Sequence, residues 1–265
     1  MVPLSRKRSL GHRVVKRGRE LRRAAPQLDL PWARSWIAGV VRAGFLRFVL
    51  RPVMDVYTRR RASGRDKLFK VKGPIILVAN HTSHMDTPVI LAALPRRLRK
   101  RTAVAAAADY FYRNKLVASL VSLIFNTVPM ERKGGGLGKQ ATDHLDRLLD
   151  EGWNLLVYPE GTRSRSGGAG RVRRGAAVLA NRHKLPVVPI RVSGTRAVMP
   201  PGRFWPKRLH GRVLSKRHRV QVSFGEPIKP ADDAGAVIDR VQRFFDQDDK
   251  GNGAGRLRKR LTPSR

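Results

Sequence analysis

Cysteine is absent from this chain. Disulfides, thiolate metal sites and a cysteine nucleophile are therefore excluded, and the absence fits a cytoplasmic setting. Acidic residues are scarce: 19 Asp and Glu stand against 56 Lys and Arg, a formal net charge of +37. A surface with that balance seeks polyanions, whether nucleic acid, anionic lipid or phosphorylated substrates. Long apolar runs are also missing. The longest uncharged stretch of the apolar middle, Leu116 to Met130, is shorter than the roughly 18–20 residues a membrane span needs. The basic N-terminus has no apolar segment behind it, so no secretory signal is expected. Few aromatics interleave the basic clusters, and neither a helix-turn-helix nor a zinc pattern is present, which counts against a basic nucleic-acid-binding protein.

What is present fits one large domain with extensions, long enough for a full core. Residues 1–31 carry the basic clusters Arg6-Lys7-Arg8 and Lys16-Arg17 and read as a disordered arm, or as one that touches a polyanionic surface. From Trp32 the character changes. Trp36, Ile37, Val40, Val41, Phe45 and Phe48 recur at helical spacing with Arg34, Arg42, Arg47 and Arg51 between them. Pro52 should end or kink this helix, and a second is expected over Val53 to Arg61. Residues 32–62 are thus expected to be an amphipathic docking segment, although an ordinary core helix shows the same period. Residues 63–246 form the main domain, and 247–265 a basic mobile tail.

Within the main domain, apolar strands alternate with helices. Strands are expected within 68–79, at Thr102 to Ala106, Trp153 to Tyr158, Pro186 to Val192 and Arg219 to Phe224. Helices are expected from Thr87, through Ile124, over Lys139 to Asp150, Gly175 to Arg182 and Asp232 to Phe245. Arg96 to Arg101 reads as a basic connection and 195–218 as an irregular excursion. The alternation implies an α/β domain with a central sheet flanked by helices.

Four of these strands end in polar residues that could line one face, as a pocket at sheet ends requires. The first is Asn80-His81-Thr82-Ser83-His84-Met85-Asp86, at an expected strand-to-helix turn. Five residues apart on one helix, His81 and Asp86 would point roughly 140° apart. A strand-to-helix turn could bring them together, and a carboxylate on one ring nitrogen leaves the other free to take a proton. The others are Arg132, Glu160 with Arg163, and the segment around Pro189. Singly, each has an ordinary structural explanation. A metal site on His81, His84 and Asp86 is disfavoured, because the remaining histidines lack ligand-like spacing.

Taken together, the four segments resemble the glycerolipid acyltransferases, in particular the bacterial lysophosphatidic acid acyltransferase group. Residues 80–86 match the block N-H-x-S-x-x-D, and Tyr158-Pro159-Glu160-Gly161-Thr162-Arg163-Ser164 matches F-P-E-G-T-R-S with Tyr for Phe. Arg132 matches the last position of G-x-x-F-I-x-R, where Asn126 replaces the Gly and Pro129-Met130 the Phe-Ile. Val188-Pro189-Ile190 matches the fourth block. The resemblance implies an acyltransferase-like α/β domain, mostly parallel, preceded by amphipathic helices. It implies an O-acyltransferase in phospholipid synthesis that moves a fatty acyl group from acyl-CoA or acyl carrier protein to 1-acyl-sn-glycerol 3-phosphate. Another acceptor, glycerol 3-phosphate or a lyso-aminolipid, would suit the same blocks. His81 is then the base and Asp86 its orienting group, with no covalent intermediate, cofactor or metal. Arg132, Glu160, Gly161, Thr162 and Arg163 bind substrate: the arginines hold phosphate, Glu160 an Arg or a glycerol hydroxyl, and Gly161 allows close backbone approach. Arg171, Arg173 and Arg174 face either coenzyme A phosphates or solvent, and 116–125 either lines an acyl channel or is core. The expected location is peripheral, on the cytoplasmic face of an anionic membrane.

Overall fold

The structure is a computed structural model that describes residues 28–107, 114–130, 139–161, 170, 172–203, 205–207, 217–230 and 233–260. Of the expected features, most of the basic arm, Arg132, Thr162, Arg163 and Arg171 lie outside the described residues.

The chain enters through a 3-10 turn, Pro31–Arg34, and helix α1, Trp36–Phe45, capped by the Ser35 hydroxyl on the Ala38 amide. A wide turn, Leu46–Leu50, joins it to α2, Arg51–Tyr57, with Pro52 in the first turn where its missing N–H costs nothing. Two expectations change here. Leu28 and Leu30, placed in the arm, are half-buried against Ala106 and Ala118. The second helix stops at Tyr57, and residues 58–63 form strand β1, Thr58–Ser63. With three arginines and no apolar alternation, β1 has the look of a protected sheet edge, which is where it lies.

After β1 come α3, Arg65–Phe69, and β2, Ile76–Ala79; the strands expected within 68–79 reduce to this one. Then follow α4, Asp86–Ala93, α5, Arg96–Lys100, which was read as a connection, and β3, Thr102–Ala107. Helix α6, Lys115–Phe125, is capped by Asn114 and leads into β4, Thr127–Met130. The remaining elements are α7, Lys139–Asp150; β5, Asn154–Val157; α8, Gly175–Arg182; β6, Val187–Ser193; α9, Thr195–Val198; β7, His218–Phe224; and α10, Ala234–Arg260. The last helix runs beyond Phe245, where the apolar period stops.

The seven strands form one sheet in the order β1-β7-β6-β2-β5-β3-β4. Every pairing is parallel except β6 with β7. Strand β2 is central and buried on both faces, as parallel strands covered by helices are. Leu77 and Ala79 face a core with α4 residues Val89, Ile90 and Leu91. Ile76 and Val78 face the other core, with Leu145, Leu148 and Leu149 of α7 and Val237, Val241 and Phe245 of α10. The three α10 residues repeat every fourth position, so one helix face supplies the contact.

The substituted second block is explained by backbone. Asn126 closes α6 in the left-handed conformation, φ 54°, which Gly adopts freely and Asn tolerates better than most residues. Its amide also donates to Thr102 O at 3.1 Å. Pro129 sits in β4, the other sheet edge, where a missing ladder donor is tolerated.

Candidate active site

The parallel strands β2, β5 and β6 bring three segments to one side of the sheet, beyond the C-terminal ends of its strands. The β2–β6 ladder ends at Ala79 with Ile190. Beyond it the buried Asn80 side chain donates to Val192 O (2.9 Å) and accepts from Val192 N (2.7 Å), so it continues the pairing after the backbone turns away. The Ser83 hydroxyl donates to Met199 O at 2.8 Å and accepts from the Met85 amide at 3.1 Å. These bonds hold the turn between β2 and α4 in one shape.

That shape brings His81 and Asp86 together. His81 Nδ1 lies 2.9 Å from Asp86 Oδ2. The same oxygen accepts from the backbone amides of Thr82 (2.6 Å) and Ser83 (2.8 Å), and Oδ1 accepts from the Thr195 hydroxyl at 2.5 Å. Asp86 is fully buried, so these bonds offset the cost of removing its charge from water. A carboxylate is acceptor-only, so Nδ1 carries the proton and Nε2 is the nitrogen able to accept one. The His81 side chain is 21% exposed, so this nitrogen can be reached.

The β5 segment supports the histidine from two sides. The Tyr158 ring stacks on the imidazole with centroids 4.3 Å apart, and its hydroxyl bonds Thr87 Oγ1 at 2.8 Å. Burial, then the nearby Asp86 charge, pushes the phenol far above its usual range, so Tyr158 stays neutral. Glu160 Oε1 accepts the His81 backbone amide at 3.0 Å, and the Gly170 amide also bonds this carboxylate. Burial raises the Glu160 carboxyl, while these amides and the charges of His81 and Arg191 pull it back. A side chain at Gly170 would sit 2.9 Å from Glu160 Oε2. Gly161 has φ +70°, and a Cβ there would press on the Arg173 guanidinium at 3.2 Å.

The structure therefore unites His81, Asp86, Glu160 and Gly161 and places Arg173 beside them. Strand β4 runs in the same direction as β2, and Arg132 follows its last residue by two positions in the sequence. Sequence reasoning missed Thr195, Asn80 as a bridge, and Tyr158 as a stacking partner. For Thr195 the sequence signal is slight: a Gly194 whose φ of +87° and contact with Arg219 O leave no room for a side chain. The apolar stretch of α6 is not simple core, since Leu116, Val117 and Leu120 are exposed. Among the described residues no three His, Asp or Glu side chains cluster as metal ligands.

A histidine oriented by a carboxylate at the strand ends of a mostly parallel sheet can keep its second nitrogen free to take a proton. The Acyltransferase family matches residues 59–193, and the chain belongs to that family. It is 29% identical over 167 residues to a probable 1-acyl-sn-glycerol-3-phosphate acyltransferase of Mycoplasma genitalium, a match covering 62% of this chain and 60% of that protein. It is 28% identical over 221 residues to the bovine (Bos taurus) 1-acyl-sn-glycerol-3-phosphate acyltransferase alpha, covering 79% and 71%. The chain spans 60% of the length of the Mycoplasma relative and 38% of that of a chloroplastic one from Brassica napus. The crystal structure of the 1-acyl-sn-glycerophosphate acyltransferase PlsC from Thermotoga maritima shares the fold, with TM-score 0.58 and 20% identity over 92% of this chain and 97% of that one.

Proposed function

We propose that this chain transfers a fatty acyl group from an acyl thioester to the free hydroxyl of 1-acyl-sn-glycerol 3-phosphate, giving phosphatidic acid. The observation that carries the reading is the His81–Asp86 pair at 2.9 Å with Nε2 left to accept a proton. His81 Nε2 takes the hydroxyl proton as the acceptor oxygen attacks the thioester carbonyl. Asp86 stabilises the imidazolium. The carbon–sulfur bond then breaks and the imidazolium returns its proton to the departing thiolate, so no acyl-enzyme forms. The donor is acyl-CoA or acyl carrier protein. Arg132 and Arg163 hold the acceptor phosphate, since planar guanidinium forks match phosphate oxygens. Gly161 and Thr162 complete that side, and Glu160 fixes the backbone of His81.

The same reading puts the protein on the surface of an anionic membrane, at its cytoplasmic face, docked through the helical residues 32–57, since 58–63 belong to the sheet. Trp36 is 81% exposed, Ile37, Val40 and Phe48 are exposed as well, and so are Leu116, Val117 and Leu120 of α6, which α1 meets through Arg42. No described helix is long and apolar enough to cross a membrane. Arginines around apolar side chains suit an interface with anionic headgroups, to which each basic residue contributes about 1 kcal/mol.

An acceptor panel assayed with one acyl-CoA and one acyl carrier protein thioester tests the reading. The expected result is transfer to 1-acylglycerol 3-phosphate by the native chain and none by His81→Ala of normal fold. Preference for glycerol 3-phosphate or a lyso-aminolipid would reassign the acceptor while keeping the chemistry. Full activity of His81→Ala would remove the proposed base.

A further inference from the structure

We propose that Thr195 is a positioning residue for acyl transfer, and that it works with Thr82 as a two-hydroxyl chain ending on Asp86. This inference rests on the function proposed above. Asp86 Oδ2 is occupied by His81 and by two backbone amides of its own turn. Oδ1 is served from a different part of the chain, by the Thr195 hydroxyl 2.5 Å away. Thr195 Oγ1 also lies 3.1 Å from Thr82 Oγ1. Thr195 has one hydroxyl proton, and the carboxylate takes it. The bond between the two threonines is therefore donated by Thr82, and the chain runs Thr82 to Thr195 to Asp86. Both threonines are buried, at 4% and 0% exposure, so water cannot replace either bond.

The arrangement answers a problem that the base creates. When His81 takes a second proton, Asp86 must remain a carboxylate without capturing the Nδ1 proton. Donors on both of its oxygens hold the negative charge in place and fix the plane of the carboxylate against the imidazole. The turn itself supplies donors to Oδ2, and Thr195 supplies Oδ1. Thr195 is delivered there by Gly194, whose left-handed backbone packs so closely on β7 that an added Cβ would lie 2.0 Å from Arg219 O.

Thr195→Val keeps the shape and removes the donor. The expected result is a fall in kcat of about tenfold to a hundredfold, the effect of leaving a buried charged acceptor short of one bond. KM for acceptor and thioester should change little, because Thr195 is fully buried. Thr195→Ser should recover most of the rate. Proton NMR should show the Nδ1–H of His81 hydrogen-bonded to Asp86 in both chains, with its resonance moved downfield in Thr195→Val because a carboxylate short of one donor accepts that proton more strongly. If Thr195→Val does not fold, Thr82→Val, which removes only the outer hydroxyl, takes its place with a smaller loss of rate. Undiminished kcat in the valine variant overturns the proposal. So does a loss that serine does not rescue, or a loss with an unmoved Nδ1–H resonance. If the native chain transfers no acyl group, the proposed function fails, and the Nδ1–H resonance still decides the part assigned to Thr195.

Discussion

The turn after β2 and helix α1 each bury a charged side chain, for opposite purposes. At the turn, Asp86 is closed in by short donors on both oxygens, and the result is an oriented histidine at the end of a strand. In α1, Arg42 is only 8% exposed. Its guanidinium donates to Leu123 O (2.9 Å), Ala33 O (2.5 Å) and Ser122 O (3.3 Å). Burial, with a smaller contribution from Arg34, lowers its pKa to about 10, which leaves it charged at neutral pH. The guanidinium joins α1 to the end of α6, so the helix turns its arginine inward and its Trp36 outward. One region uses a buried charge to orient an imidazole. The other uses one to hold apolar side chains out of the core, available to a partner that is itself apolar.

This contrast can be broken in several places. The largest expected effect is at the turn. Asp86→Asn keeps the size but removes the charge that fixes the histidine tautomer, and kcat should fall by about a hundredfold to ten-thousandfold. A rate within tenfold of the native chain would mean that Asp86 only supports the fold. On the helix side, the double substitution Trp36→Asp with Leu120→Asp should weaken binding to vesicles of anionic phospholipid by at least about tenfold, given 1.5–3 kcal/mol for each large apolar side chain buried. Turnover of a short-chain, water-soluble acceptor should be spared. Unchanged vesicle binding would leave α1 and α6 without the proposed role. A truncation through residue 61 would be a poor substitute, because it removes most of β1 from the sheet.

Smaller effects sharpen the same comparison. Arg42→Met leaves buried carbonyls without a donor and should cost about 1–3 kcal/mol in thermal or denaturant unfolding. It should weaken vesicle binding more than it slows a soluble assay; equal losses would place Arg42 in general stability alone. The smallest effect lies far from both regions, between α7 and α8. Burial pushes the Asp146 carboxyl up, but hydrogen bonds from His183, Thr142 and Arg182 outweigh it, and its pKa falls below the ordinary 3.8. A depressed folded value means that the contribution to stability is fully present above the unfolded pKa. It is lost as pH falls through the folded one. Asp146→Asn should therefore lower stability by up to about 1 kcal/mol at pH 7 and by progressively less under acid. A difference that grows on acidification would reverse the sign and the explanation.

Much of the α/β pattern was legible because buried strands and amphipathic helices write their periods into the chain. Lys139–Asp150 and Gly175–Arg182 are helices where the apolar spacing predicts them. The misses share one cause. Strand β1 carries Arg59, Arg60 and Arg61 and is a strand because β7 offers it a ladder, not because of an apolar period. Helix α5 is too short and too basic to show one. In α1 the period is present and correctly read as helical, yet periodicity reports only that a helix has two faces. It does not say which face meets the protein.

The sequence alone determined the identity and order of the candidate groups that the structure unites: a histidine and an aspartate after a buried strand, with Glu160 and Gly161 after another. Those features are local, and their residue types carry the chemistry wherever the chain places them. Tertiary structure decided what surrounds them. Thr195 is 109 residues from Asp86 and meets it only because β6 runs parallel to β2. Arg42 is 81 residues from Leu123, and only the packing of α1 on α6 turns an exposed-looking arginine into a buried pin. Contacts across such distances depend on how strands pair and helices stack, and no short-range spacing records them.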